Sequence, residues 1–227
     1  MILFLYFLKM EEKKINIITL GESSVGKTCI IKRIAHKKFD GNEISTIGID
    51  HYIIKRDYQK KNLTLLLHFI DTVGQEKFAS LTNSYIRDSH IILLVFDNIK
   101  TLNVIKERWY EYYIKNANVE NSRFILIGNK SDLFGNKREE IIREGDKFSE
   151  KIDSHFITCS AKSSDNIDNL ERYIITEAKR FIDGEEMEKN STAAPSINTS
   201  PNNVNSFHLE EINQCGFCRI VMRGCCK

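Results

Sequence analysis

Short apolar runs rich in β-branched residues alternate with stretches of helical period between Lys13 and Asp183. Ile15–Leu20 (INIITL) reads as a strand, followed by a glycine-containing turn and a helical pattern over Lys27–His36. His51–Lys55 and Leu63–Ile70 read as two strands joined by a polar turn around Gln59–Asn62. Further strands are expected at Ile91–Phe96, Phe124–Ile127 and Phe156–Cys159, and helices over Leu102–Asn116, Arg138–Lys151 and Ile167–Phe181. The runs IILLVF and FILI are apolar at every position, as strands covered on both faces require. Strands alternating with helices in this order predict an α/β fold. Its doubly wound, mostly parallel sheet would have six strands, one of them antiparallel, and helices on both faces. Ligands on such sheets bind at the carboxyl ends of the strands.

Both ends of the chain fall outside this pattern. Ile2–Leu8 (ILFLYFL) is too short to span a bilayer and lacks the basic lead and small-residue cleavage site of a signal peptide. Residues 1–9 therefore read as an extension outside the fold, with a short apolar anchor as the alternative. The folded domain is expected over 10–183. From about Gly184 the apolar period stops, and both prolines, Pro195 and Pro201, lie beyond it. Lys189–Ser206 carries too little apolar area to offset its chain entropy, so 184–227 is expected to be a flexible tail.

Composition narrows the function classes. With 33 Lys+Arg against 31 Asp+Glu the net charge is +2, so no basic field supports general nucleic-acid binding. The 41% hydrophobic and 28% charged content excludes wholesale disorder. Six cysteines in 227 residues are too few for a disulfide scaffold, and their positions matter more. Cys29 and Cys159 follow apolar patterns and read as core thiols; Cys215, Cys218, Cys225 and Cys226 crowd the last thirteen residues. The six histidines lack ligand spacing, and Trp109 reads as helix packing.

The chemistry sits at strand ends. Gly21-Glu22-Ser23-Ser24-Val25-Gly26-Lys27-Thr28 matches G-x-x-x-x-G-K-[ST], directly after a strand and opening a helix. Gly21 and Gly26 let backbone N–H groups wrap a polyphosphate. Lys27 brings charge to the β- and γ-phosphates, and the Thr28 hydroxyl is an Mg²⁺ ligand. The nucleotide-binding set extends to Cys29. Asp71-Thr72-Val73-Gly74-Gln75 follows another strand. Asp71 can hold Mg²⁺ through water, the Gly74 N–H can sense a γ-phosphate, and Gln75 can orient an attacking water. Asn129-Lys130-Ser131-Asp132 follows the strand Phe124–Ile127 and Gly128. The Asp132 carboxylate can accept N1–H and the exocyclic amine of guanine, a donor pair adenine lacks. Ser160-Ala161-Lys162, after a further strand, can add a backbone N–H to the guanine oxygen.

Together GESSVGKT (21–28), ISTIGID (44–50), DTVGQE (71–76), GNKSD (128–132) and CSAK (159–162) resemble the small GTPases of the Ras superfamily, most of all the Rab family. The resemblance covers about Met10–Asp183 and implies a P-loop G domain that binds GTP and GDP with Mg²⁺ and hydrolyses GTP slowly. It implies Thr46 as a further Mg²⁺ ligand and γ-phosphate sensor, Phe39 as the aromatic packed against guanine, and Lys27 and Gln75 as catalytic residues. The ending Cys225-Cys226-Lys227 resembles the double-cysteine Rab terminus, where both thiols carry geranylgeranyl groups; no cysteine stands fourth from the end, so a C-a-a-X signal is absent. The implied partners are an exchange factor, a GTPase-activating protein, a prenylation escort, a GDP-dissociation inhibitor, effectors and a membrane. The implied location is the cytoplasmic face of an endomembrane compartment, in exchange with cytosol, and the implied role is vesicle trafficking. Val73, His51, Ile70 and Ile86-Arg87-Asp88-Ser89 depart from the Rab pattern. A GTP-bound scaffold that does not cycle, or a soluble GTPase whose Cys215-x-x-Cys218 tail binds metal, remain open alternatives.

Overall fold

The computed structural model describes residues 10–37, 48–72, 84–116 and 122–192. Its strands are β1 (Glu11–Leu20), β2 (Asp50–Tyr58), β3 (Leu63–Asp71), β4 (Ile91–Phe96), β5 (Arg123–Gly128) and β6 (His155–Thr158). Helix α1 (Lys27–His36) follows β1; α2 (Ile99–Val104) and α3 (Tyr110–Asn116) are joined by a π-helical stretch, Ile105–Trp109. Helix α4 (Arg138–Lys151) precedes β6, and α5 (Ile167–Thr192) follows it.

The strands form one six-stranded sheet in the order β2-β3-β1-β4-β5-β6, parallel except for the β2–β3 hairpin. This is the expected architecture. The apolar runs divide by alternation, because successive strand residues point to opposite faces. Ile15 and Ile17 of β1 and Ile91, Leu93 and Val95 of β4 join Ile30, Ile31 and Ile34 of α1 and Leu170, Ile174 and Ala178 of α5 in one core. Ile18 and Leu20 of β1 and Ile92, Leu94 and Phe96 of β4 pack with Leu102, Ile105, Trp109, Tyr113, Ile141 and Phe148 on the other side. Every residue of β4 is buried, so its unbroken apolar run follows from cover on both faces.

Element ends differ from expectation where backbone pairing outweighs side-chain pattern. β1 starts at Glu11 because Glu11–Lys14 pair with Leu63–Leu66, although their side chains are polar. β2 runs from Asp50, paired with Asp71, to Tyr58, paired with Leu63. The turn between them is a short 3₁₀ segment, Gln59–Lys61, closed by Asn62 at φ 50°. The helix expected from Leu102 begins instead at Ile99. There Asn98 accepts from the Thr101 N–H while Thr101 Oγ1 accepts from the Asn98 N–H, a reciprocal cap with Thr in the place of Glu. α5 continues past Phe181 to Thr192, through the strong helix formers Glu185, Glu186, Met187, Glu188 and Lys189, so the boundary near Gly184 falls inside it. Residues 1–9, the part of the expected tail beyond 192 and all four C-terminal cysteines lie outside the described residues. Among the described residues no helix is long and apolar enough to cross a membrane.

The histidines are less scattered in space than in sequence. Asn16 Nδ2 donates to the Asp88 carbonyl at 3.0 Å, which turns Oδ1 toward His68 Nδ1, also at 3.0 Å. His68 Nδ1 therefore carries the proton, and Nε2 is left to accept from His51 Nδ1 at 3.0 Å. The two rings stack with centroids 5.0 Å apart. Burial, then Lys14 and His51, push His68 down to about 4 from an ordinary 6.5. Between those values the unfolded chain takes up a proton that folded His68 refuses, so stability falls as pH drops through that window. His68→Gln should make thermal unfolding less steeply dependent on pH between about 6.5 and 4. Scanning calorimetry across that range tests this, and an unchanged slope would contradict it.

Candidate nucleotide site

The carboxyl ends of β1, β3, β4, β5 and β6 lie along one edge of the sheet, because these five strands run parallel. β1 leads through Gly21–Gly26 into α1. Gly21 (φ 150°) leaves no room for a side chain: a Cβ there would stand 2.2 Å from the Val95 carbonyl of β4. Gly26 (φ 94°) caps α1, and a Cβ on it would stand 2.3 Å from Asn129 Nδ2. No side chain caps α1 and its first turn holds no acidic residue, so the positive end of its dipole faces the loop. Ser23 and Ser24 are exposed, whereas Val25 anchors the loop in the core at 1% exposure.

Lys27 folds back over the loop, its ammonium donating to the Gly21 and Glu22 carbonyls at 3.0 and 2.9 Å. Burial lowers it to about 8, with Asp71 and Glu22 pulling the other way. A phosphate anion beside it would favour the charged form further. Thr28 Oγ1 donates to Asp71 Oδ2 at 2.5 Å, and Thr19 Oγ1 donates to Asp71 Oδ1 at 3.2 Å. Asp71 is fully buried; burial pushes its carboxyl above the usual range, against Thr28, Lys27 and Thr19. A carboxylate and a hydroxyl side by side at a strand end suit a hard divalent cation such as Mg²⁺, whose charge would offset that burial. Cys29 is half-buried and Cys159 buried, the latter pushed up to about 12 by burial, consistent with an unreactive thiol there.

The second half of the edge is built from β5 and β6. Asn129, 1% exposed, donates through Nδ2 to the Val25 carbonyl at 2.8 Å and accepts through Oδ1 from the Ala161 N–H at 3.2 Å. Lys130, at φ 59°, donates to the Ser24 carbonyl at 2.7 Å and to Asp97 Oδ2 at 2.8 Å. Ser160 Oγ donates to Asp132 Oδ1 at 2.5 Å, and the Ser131 N–H donates to the Cys159 carbonyl at 3.0 Å. The exposed Asp132 thus stands at a rim shared by two loops, joined to the phosphate-type loop through Asn129. Lys162 is exposed, and its carbonyl accepts from Arg33 Nη2 at 2.9 Å.

The structure therefore gathers Gly21–Cys29, Asp71, Asn129, Lys130, Asp132 and Ser160–Lys162. Phe39, Thr46, Val73, Gly74, Gln75, Cys225 and Cys226 lie outside the described residues. Four supporting residues escaped sequence reading. Thr19 holds Asp71; Asp97 holds Lys130; Arg33 Nε donates to the Ala161 carbonyl at 2.8 Å; and Asp165 accepts from Ser131 Oγ at 3.0 Å and from the Ser160 N–H, also at 3.0 Å. Thr19 had a signal, since a polar residue inside a strand buried on both faces requires a partner. Asp97, directly after the β4 run, sits where strand-end chemistry is expected. The family model described as the Ras family matches residues 16–180 of the chain.

Asn129→Ala would strand the buried Val25 carbonyl and Ala161 N–H together, a cost of about 1–3 kcal/mol. GDP affinity measured by titration calorimetry should fall about 5- to 150-fold while circular dichroism stays native.

Proposed function

The chain belongs to the Ras family of small GTPases, and on that premise we propose that it is a Rab-type switch: it alternates between GTP and GDP, hydrolyses GTP slowly and works from a membrane in vesicle trafficking. The observation that carries the nucleotide part is the Asn129 side chain, which locks the loop bearing Asp132 onto the phosphate loop. A phosphate cradle and a carboxylate that matches the guanine donor pair then sit on one rigid support.

Lys27 brings positive charge to the β- and γ-phosphates, and its lowered proton affinity reflects burial whose charge cost a polyanion offsets. Thr28 and Asp71 are the residues that hold Mg²⁺, with Thr46 completing the set by family resemblance; the ion neutralises phosphate charge when bound. Gly74 reads the γ-phosphate, Gln75 orients the attacking water, and Phe39 packs on the base. No arginine in the chain is assigned as a finger in cis, so an activating protein supplies it, worth ~10³–10⁵ in rate.

Cys225 and Cys226 are the lipid acceptors. Two chains anchor stably where one binds only marginally. Three basic residues and no acidic one follow Ile212, which adds attraction to an anionic leaflet. An escort, a GDP-dissociation inhibitor, an exchange factor and effectors follow from this reading, and the working location is the cytoplasmic face of an endomembrane.

Purified protein should carry guanine nucleotide and turn over GTP once at a slow, measurable rate; Gln75→Leu should cut activated turnover at least about 10³-fold and spare GTP binding. Wild-type protein that retains GTP without turnover would replace the cycling switch by a static scaffold. Replacing Cys225 and Cys226 together with Ser should move the protein from the membrane to the soluble fraction and remove prenyl mass. Unchanged partitioning, or zinc in place of prenyl groups, would overturn the anchor.

A further inference from the structure

We infer that Trp109 and Arg108 are positioning residues for the phosphate cradle, acting through the carboxylate of Glu22. The inference rests on the guanine-nucleotide reading above. Glu22 is the second residue of the loop and is held at both ends. Its carbonyl accepts from Lys27 Nζ at 2.9 Å, and its carboxylate Oε1 accepts from Trp109 Nε1 at 3.2 Å, with Arg108 Nη1 3.5 Å from the same oxygen. Trp109 is 4% exposed, and the Arg108 guanidinium lies over its ring, 5.0 Å from the centroid.

Both partners sit at the end of the π-helical stretch Ile105–Trp109. A π turn carries an extra residue and so changes the direction of every side chain after it relative to an unbroken α-helix. With that turn, Trp109 packs beneath the sheet beside Ile105, Leu102 and Tyr113 while its indole N–H reaches the loop. The charge logic is as specific as the geometry. A free carboxylate one residue beyond Gly21 would repel a polyphosphate. Trp109 occupies one of its lone pairs and Arg108 offsets its charge, so the carboxylate is tied to the helix and residue 22 is fixed before the ligand arrives.

If Trp109 acts through Glu22, its effect must vanish once the carboxylate is gone. The test uses the full chain loaded with a fluorescent GDP analogue, with release followed after addition of excess unlabelled GDP. Trp109→Phe should release the analogue about 5- to 10-fold faster than wild type. In a Glu22→Ala background the same replacement should change nothing further. Packing alone would give the same factor in both backgrounds, and that result overturns the inference. So does release from Trp109→Phe at the wild-type rate. Should Trp109→Phe not fold, Arg108→Ala serves in the same pair of backgrounds, with faster release expected only where Glu22 is present. Trp109 is the chain's one tryptophan, so its emission should also shift in Glu22→Ala, which reports loss of the contact directly. Wild-type protein that retains no guanine nucleotide would overturn both this inference and the function it rests on; retained nucleotide with equal factors in the two backgrounds overturns this inference alone.

Discussion

A single buried amide, that of Asn129, joins the two halves of the functional edge, giving its NH₂ to the Val25 carbonyl and its oxygen to the Ala161 N–H. Both partners are backbone groups of loops that would otherwise bury an unpaired donor or acceptor, at a cost that a small domain's margin of stability makes large. The Asn129 amide therefore couples the phosphate-type loop to the β5 and β6 ends. Gly26 follows from the same contact, because any Cβ at that position would collide with the amide. Arg33 extends the tie from α1 to the Ala161 and Lys162 carbonyls.

Around that frame the charges are held in tension. Lys27 and Asp71 are both buried, and burial pushes each toward its neutral form: Lys27 down, Asp71 up. Their mutual attraction and the hydroxyls of Thr28 and Thr19 resist that shift. An anion beside Lys27 and a cation beside Asp71 would offset both shifts. Elsewhere the same physics is already satisfied within the chain. Glu171, which burial alone would push up, is held low by hydrogen bonds from Lys37 and Arg56, and it ties the end of α1 and the strand β2 to α5.

Local spacing made the cradle legible. Gly21, Gly26, Lys27 and Thr28 fall within one turn and the start of one helix, so their arrangement is a property of a short stretch of chain. The sheet was legible for a related reason, since a strand covered on both faces must be apolar at every position and β4 is. The partners across the edge were not legible. Arg33 meets Ala161 across 128 residues and Trp109 meets Glu22 across 87. Strand order and helix phase bring them together, and no periodicity encodes either. The π turn before Trp109 was likewise invisible, because it shifts the helix phase without leaving a proline or glycine to mark it.

Residue type and spacing thus settle the α/β class and the Ras-family motifs, with the Gly21–Thr28 loop and Asp132 at strand ends, because each is decided within a few residues of backbone. The tertiary structure alone decides that His51 and His68 hydrogen-bond, that Thr19 braces Asp71 and that Glu22 turns toward Trp109. Those pairings depend on strand register, antiparallel for His51 and His68 and parallel for Thr19 and Asp71, and on the phase of one helix. Both are set by how the whole core closes around the sheet.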